Sequence, residues 1–245
     1  ELAKDPGFEA VYSSFPTIEA AFEACRYGAR NGVSAVVDVR DAWPEVIVEQ
    51  LPGVVRPFAR VGLAPYYWKA STALRRATAV SGTSEGMVEF GRELGKRSSD
   101  YERDRAFPMA YEKPLIEPSA FDRARAYWDQ QGVLSEDARN TLCFFGTFVQ
   151  QKAVDFETPI RGMIKLRKQN PDLKLVMCGQ GPRLEECRQL AAGDDGVLFP
   201  GQVDQPKIFA LMERSFAGLL PYRPESHFEY SIPNKSVEYL AGGLP

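Results

Sequence analysis

The chain has 245 residues, of which 44% are hydrophobic and 26% charged, a composition that indicates an ordered protein of one large or two modest domains. Its net charge of −3 at pH 7 provides no broad basic field, so we expect no nucleic-acid partner. One histidine and four cysteines without CxxC spacing predict reduced, buried thiols, no metal site and no cofactor.

Strand and helix patterns alternate in the first half of the chain. The predicted elements are strands at 8–14, 35–39, 77–81 and 105–109 and helices near 18–29 and 84–96. Continuous apolar strands that alternate with helices are typical of a parallel sheet covered by helices. The first half is therefore predicted to be such a sheet.

The alternation starts again after a proline-containing stretch at 111–119, in which Pro114 and Pro118 lack backbone donors. The predicted elements that follow are strands at 142–146, 173–179, 197–199 and 216–221 and helices near 121–128, 156–167, 183–192, 205–215 and 234–242. This pattern predicts a second, doubly wound α/β domain. We predict domains at 1–113 and 114–245.

Both ends of the sequence are expected to be incomplete. There is no initiator methionine, and Leu244-Pro245 closes the chain where a further parallel strand would follow the last helix. We therefore interpret the sequence as a fragment of a longer protein.

Two glycines follow the strand predicted at 173–179. In open α/β sheets, ligands gather at the carboxyl ends of strands, beside helix N-termini that suit phosphate. Gly179 and Gly181 would let the backbone approach such a ligand, or they serve a tight structural turn. Lys152 follows the strand at 142–146 and would neutralise a diphosphate or lie solvated at the surface.

The loop at 225–235 leads into the last predicted helix and carries a second candidate site. Pro233 and Asn234 crowd the start of the helix and Lys235 adds a cation, which indicates an anion site or plain capping. Glu238 would point to the same edge and accept hydrogen bonds from ribose hydroxyls. His227 is either a catalytic or substrate-positioning residue or a bystander.

Charged residues end a strand in the first half as well. Asp38, Arg40 and Asp41 lie in the segment VVDVRDAWPE, where two carboxylates and an arginine could bind sugar hydroxyls. The alternative is an Arg–Asp pair that orders the loop.

The segment from Gln50 to Ser84 contains no Asp or Glu. Its five cations are Arg56, Arg60, Lys69, Arg75 and Arg76, interspersed with Phe58, Tyr66, Tyr67 and Trp68. This mixture suits an anionic membrane surface, or it forms a partly buried aromatic cluster with solvated charges. With no run long enough to span a bilayer and no export signal, we expect a cytoplasmic protein, peripheral on the inner face of the cell membrane.

Six segments carry a resemblance to a known family. They are VYSSFP, VVDVRDAWPE, LCFFGTF, LKLVMCGQGPRLEE, GVLFPGQVDQPKIFALMERSFAGLLPYRP and SIPNKSVEYLAGGLP. Together they resemble family 4 retaining glycosyltransferases, in particular bacterial members that build surface polysaccharides. The resemblance implies the GT-B fold, in which two Rossmann-like domains face a cleft and the C-terminal domain binds a nucleoside diphosphate sugar without an obligatory metal.

The resemblance also implies roles for individual residues. Glu238 resembles the glutamate that binds the donor ribose, Lys152 the lysine at the diphosphate, and Val203 the position beside the nucleobase. The loop of Ile232, Pro233 and Asn234 resembles the one whose backbone meets phosphate.

The sequence departs from the family pattern at three places. Thr147 stands where an arginine often follows the strand glycine, and Tyr230 replaces a frequent second glutamate. Ser13 and Ser14 occupy the place of a histidine on the acceptor side, where Arg40 and Asp41 are further candidates.

These observations predict transfer of a hexosyl or N-acetylhexosaminyl group, with retention, from a UDP-sugar to a lipid-linked or nascent glycan. Lys152 and Lys235 would stabilise the departing diphosphate, and no side-chain nucleophile is assigned. The alternatives are a nucleotide-sugar epimerase on the same plan and a non-catalytic subunit that binds sugar nucleotides.

Overall fold

The computed structural model describes residues 8–98, 102–134, 140–150, 153–223 and 230–245, and the chain divides into two compact units. The first unit comprises Glu1–Met109 and Pro224–Ile232, and the second comprises Ala110–Arg223 and Pro233–Pro245. The predicted division into domains at 113 and 114 stays a prediction, since compactness alone does not define a domain.

The first unit is built on a four-stranded parallel sheet in the order β1-β2-β3-β4. Its strands are β1 (Ala10–Phe15), β2 (Ser34–Val39), β3 (Ala79–Gly82) and β4 (Arg105–Ala106), and its helices are α1 (Ile18–Asn31), α2 (Glu45–Glu49), α3 (Arg56–Gly62), α4 (Ala64–Arg76) and α5 (Glu85–Gly95). The predicted helix-covered parallel sheet is confirmed. The strand expected at 105–109 was too long, since β4 ends at Ala106, two residues before Pro108, which has no N–H for the ladder.

The core of the first unit lies on one face of this sheet. Ala35, Val37 and Val39 alternate along β2 and are buried against the apolar faces of the surrounding helices, with Leu74 of α4 and Met87 of α5 among the buried residues. Because successive side chains of a strand point to opposite faces, these three alternate residues form one apolar row on the same face of the sheet.

The second unit contains another four-stranded parallel sheet, in the order β7-β6-β5-β8. Its strands are β5 (Thr141–Phe145), β6 (Lys174–Cys178), β7 (Val197–Gly201) and β8 (Ala217–Gly218), and its helices are α6 (Pro118–Gln130), α7 (Glu157–Arg167), α8 (Leu184–Leu190), α9 (Gln205–Met212) and α10 (Asn234–Ala241). The predicted doubly wound pattern is confirmed, although two elements are shorter than expected. The strand predicted at 216–221 is only two residues long, and the helix predicted at 205–215 ends at Met212.

Both faces of the second sheet are buried. Along β5, Cys143 and Phe145 pack into one cluster with residues of α6, α9 and α10, whereas Phe144 packs into another with residues of α7 and α8. A strand buried on both faces has no polar alternation, which explains the continuous apolar run LCFF. All four cysteines are free and buried, as predicted.

Among the described residues, no helix combines the length and apolar character needed to cross a membrane.

Candidate functional site

The loops at the carboxyl ends of β5, β6 and β7 are joined by backbone hydrogen bonds. Gly146 N–H donates to Cys178 O over 2.9 Å, Phe148 N–H to Gln180 O over 2.9 Å, and Gly179 N–H to Gly201 O over 2.7 Å. Three consecutive loops of the sheet therefore form one continuous backbone layer, at the edge where ligands bind in open α/β sheets.

Two glycines allow this layer to form. Gly179 and Gly181 have φ values of +142° and +148°, a region that side-chain-bearing residues rarely adopt. A Cβ at Gly179 would overlap the carbonyl group of Gly146, and a Cβ at Gly181 would lie 2.5 Å from Phe148 O. The two glycines predicted from the sequence are therefore required by the packing of adjacent loops.

Helix α10 begins without a side-chain cap. Its N-cap residue is Pro233, with ψ of 140° and no side-chain cap hydrogen bond, and the first turn contains no acidic residue. Ser236 N–H donates to Pro233 O over 2.9 Å, which leaves the N–H groups of Asn234 and Lys235 ahead of the first intrahelical bond. The N-cap residue therefore does not cap this helix with its side chain.

Lys235 extends from the first turn of α10 across the end of β5. Its side chain lies over Gly146, and its Nζ is 3.3 Å from the hydroxyl of Tyr222 and 5.6 Å from the ring centre of Phe144. Among the described residues no carboxylate lies within ion-pair distance of Lys235. A half-buried ammonium therefore sits beside an uncapped helix N-terminus, and both attract anions.

Glu238 lies one turn further along α10, on the same face as Lys235. It is half-buried, and burial raises the pKa of its carboxyl group despite the opposing effect of the Lys235 charge. No described residue donates a hydrogen bond to the Glu238 side chain. This carboxylate can therefore accept hydrogen bonds from a ligand.

The other donor-side candidates are placed as follows. Val203 is half-buried two residues beyond β7 and packs against the core cluster that includes α9. Asn234 is exposed at the first position of α10, and Ile232, which belongs to the first unit, is 38% exposed. Lys152 and His227 lie outside the described residues. Thr147 is exposed in the loop after β5.

Sequence reasoning did not single out two arginines near this edge. Arg183, which follows Gly181, and Arg223, which follows β8, line a hollow of about 250 Å³ together with Asp155. Arg183 is paired with Glu186 over 2.9 Å, and Arg223 with Asp155 over 3.3 Å. Arg183 was visible in the segment CGQGPR, whereas nothing in the sequence indicated Arg223.

In the first unit, Asp38 is the centre of a polar network. The buried carboxylate accepts from Ser81 Oγ and from Arg40 Nε, each over 2.6 Å. Burial raises the pKa of Asp38, but the hydrogen bonds from Ser81, Arg40 and Tyr12 outweigh it and hold this pKa below its ordinary value. Both Asp38 oxygens are engaged within the protein, while the Arg40 side chain is 60% exposed.

The remaining acceptor-side candidates lie close to this network. Asp41 Oδ1 accepts from Ala42 N–H over 2.9 Å within its own loop. Ser13 and Ser14 lie inside β1, paired with Val37 and Asp38, rather than beyond the end of the strand. Ser13 is buried and Ser14 exposed, so that only Ser14 presents its side chain to solvent.

Tyr230 takes up a structural position in the first unit. Its carbonyl oxygen accepts a hydrogen bond from Ser84 Oγ, and its Cα and ring lie against Gly86 in the first turn of α5.

Residues 139–245 match the family model described as glycosyl transferases group 1. No curated protein matches the chain. The match supports the resemblance for these residues.

Solved structures of about 10–15% identity share the fold over nearly the whole chain. HepE (Alr3699) from Anabaena in complex with UDP is 15% identical, with a TM-score of 0.61 over 96% of this chain and 58% of that one. A UDP-forming α,α-trehalose-phosphate synthase from Burkholderia vietnamiensis is 10% identical, with a TM-score of 0.57 over 98% and 58%. The pneumococcal O-GlcNAc transferase GtfA in complex with UDP and GlcNAc is 14% identical, with a TM-score of 0.56 over 93% and 38%.

The chain thus spans 58% of the length of the first two of these proteins. The prediction of an α/β, GT-B-type fold is confirmed.

Proposed function

We propose that this chain is part of a glycosyltransferase that binds a nucleoside diphosphate sugar, a UDP-sugar, at the carboxyl edge of its second sheet. The observation that carries the proposal is Lys235, whose ammonium lies over Gly146 beside the uncapped start of α10. A diphosphate there would meet a cation and free N–H groups together. The UDP complexes of the structural neighbours HepE and GtfA support the choice of donor.

The individual roles follow from this arrangement. Lys235, the N–H groups at the start of α10, and Lys152 stabilise the diphosphate as it departs, so that catalysis rests on positioning and electrostatics. Glu238 accepts hydrogen bonds from the ribose hydroxyls, and Val203 borders the nucleobase. Pro233 shapes the phosphate loop at the start of α10, and Ile232 precedes it in the chain.

The acceptor is proposed to be a lipid-linked or nascent glycan, with transfer of a hexosyl or N-acetylhexosaminyl group and retention of configuration. Arg40, with its exposed guanidinium, is the strongest acceptor-side candidate, followed by Asp41 and Ser14. Ser13 is buried and would act only through its neighbours.

A panel of nucleotide sugars tests the donor assignment. We expect UDP and UDP-sugars to raise the unfolding temperature of the chain more than GDP, ADP or uridine, because both the base and the diphosphate are bound. Incubation of labelled UDP-sugars with the full-length protein and bacterial membrane lipids should then give a labelled glycan whose anomeric configuration is read by NMR. If no nucleoside diphosphate changes the unfolding temperature, the proposed site is wrong.

A non-catalytic subunit that binds sugar nucleotides is the second candidate. It is favoured by Thr147, which leaves the loop after β5 without its expected arginine, and by Tyr230, whose carbonyl is bound to Ser84. Nucleotide binding without any labelled product would support this candidate. An epimerase would instead convert the free UDP-sugar without an acceptor.

The role of Glu238 is tested by Glu238→Gln. Loss of a charge-assisted contact to the ribose should weaken UDP binding by about 1–3 kcal/mol, measured by calorimetry. The Glu238 carboxyl group has a raised pKa in the wild type, so it becomes protonated at a higher pH than an ordinary carboxylate. On acidification, UDP affinity should therefore begin to fall at that higher pH. The variant should lack this component of the pH profile.

Glu213→Gln is the matched control. Glu213 follows the C-terminus of α9, at the opposite edge of the sheet, and pairs with Arg125 over 3.0 Å. Its substitution should leave UDP binding unchanged. Equal UDP affinities for wild type and Glu238→Gln across the pH range would exclude the ribose contact.

A further inference from the structure

Helix α3 and the turn that precedes it present an apolar ridge to solvent. The ridge consists of Val54, Val55, Phe58 and Val61, whose exposed fractions are 81%, 40%, 76% and 75%. Val54, Phe58 and Val61 are spaced at i, i+4 and i+7 through a turn that continues into the helix, and therefore share one face. Helices at the surface of a protein normally bury their apolar face, whereas this ridge faces solvent.

Polar contacts join the opposite side of α3 to the rest of the unit. Arg60 pairs with Glu45 of α2 over 2.8 Å, and Arg56 donates to Glu49 O over 2.8 Å and to Leu51 O over 3.0 Å. The polar side of α3 is thus tied to α2 and to the turn that follows it. The apolar side of the helix faces away from these contacts.

Helix α4, which begins two residues after α3 ends, carries further exposed aromatic side chains. Tyr66 is 43% exposed and Trp68 is 60% exposed, with the Trp68 ring 5.4 Å from the ring of Phe22. Tyrosine and tryptophan are the side chains that concentrate at the boundary between lipid and water. Tyr67, in contrast, is half-buried and hydrogen-bonded to Glu45.

The cations near the ridge provide less unpaired positive charge than the acid-free segment suggested. Arg60 and Lys69 are paired with Glu45 and Glu19, which lie outside that segment. Arg56 retains only carbonyl partners among the described contacts, and Arg75 and Arg76 are exposed at the end of α4. Apolar contact is therefore the larger contribution, and cations supplement it.

We propose that the apolar ridge inserts into the headgroup region of an anionic lipid bilayer. A bilayer offers apolar depth to Val54 and Phe58 and negative charge to Arg56. A second copy of the chain fits less well, because a two-fold contact through the ridge would set Arg56, whose described partners are carbonyl oxygens, against its own counterpart. The proposal is independent of the nucleotide site.

Co-sedimentation with vesicles tests the proposal. We expect the 245-residue chain to bind vesicles of mixed phosphatidylglycerol and phosphatidylcholine more tightly than vesicles of phosphatidylcholine alone. The combined change Val54→Ser, Phe58→Ser and Val61→Ser should weaken binding to the mixed vesicles by roughly tenfold or more, since it removes most of the exposed apolar surface of the ridge. Because these side chains are exposed, the variant should keep its fold, which circular dichroism checks.

Phe107→Ser is the matched control, because Phe107 is 66% exposed in the same unit but lies outside the ridge. It should bind vesicles like the wild type. An unchanged affinity in the triple variant, or a wild-type chain that ignores the mixed vesicles at low salt, would overturn the proposal.

Insertion itself is measured with a tryptophan probe. Phe58→Trp should be quenched by lipids brominated on their acyl chains beyond the quenching of the native tryptophans, whereas Phe107→Trp should show no additional quenching. Equal quenching of the two variants would overturn the proposal. So would a wild-type dimer in sedimentation velocity that the triple serine variant abolishes while vesicle binding is absent, because that result assigns the ridge to a second copy.

Discussion

Gly179→Ala should destabilise the second unit by about 2–6 kcal/mol and abolish measurable UDP binding. Alanine at a φ of +142° carries a backbone strain of about 1–3 kcal/mol. Its Cβ would also overlap the carbonyl group of Gly146, and relief of such overpacking costs about another 1–3 kcal/mol. The Lys235 side chain lies over Gly146, the residue that carries this carbonyl group. Displacement of the loop should therefore also disturb the proposed diphosphate site.

Hydrogen exchange measures this effect within the chain. Amides of β5 and β6 should lose protection in Gly179→Ala, while those of β2 in the first unit serve as an internal reference. Gly162→Ala is the matched control, since Gly162 lies within α7 and a Cβ there meets nothing within 4 Å. That substitution should stabilise the second unit by about 0.5–1 kcal/mol. Wild-type protection in Gly179→Ala would show that the loops tolerate a side chain.

Asp104→Asn should destabilise the first unit by about 3–5 kcal/mol. The Asp104 side chain is fully buried and accepts from Arg97 Nε over 2.9 Å, while Val80 N–H donates to its other oxygen over 2.7 Å. Arg97, which is 3% exposed, also donates to Leu74 O and Ala77 O. Asparagine keeps the shape but removes the negative charge that faces the buried Arg97 guanidinium.

Protection of amides in β3 and β4 should fall in Asp104→Asn, with the second unit as reference. Glu23→Gln provides the comparison, because Glu23 forms an exposed pair with Arg26 in the same unit. Its cost should stay below about 1 kcal/mol, as for other exposed ion pairs. If the two substitutions lowered the free energy of unfolding by similar amounts, the buried network would contribute no more to stability than a surface ion pair.

The order and type of the main elements were predictable from the sequence. Continuous apolar runs such as LCFF marked strands buried on both faces, and the apolar positions of α1 repeat with helical spacing. Gly179 and Gly181 were predictable as loop residues for the same reason, since only local spacing and conformational freedom were needed. The end of β8 was not predictable, because the length of a strand depends on the partner that it finds across the sheet.

Three features of the candidate sites were decided by tertiary structure. The sequence placed Lys235 near a helix start but did not indicate that it reaches Gly146, which is distant along the chain. It also presented Arg60 and Lys69 as part of an acid-free segment, while the fold supplies Glu45 and Glu19 from elsewhere. The sequence also did not indicate that Phe58 would be 76% exposed, which depends on how α3 packs in the folded chain.

What the sequence by itself determined is therefore local: the periodicity of each element, the glycines that allow tight loops, and the composition of the 50–84 segment. What only the tertiary structure decided is the partner of each charge and the burial of each apolar face. The physical reason is that periodicity acts over a few residues, whereas ion pairing and burial depend on groups brought within a few ångströms by folding.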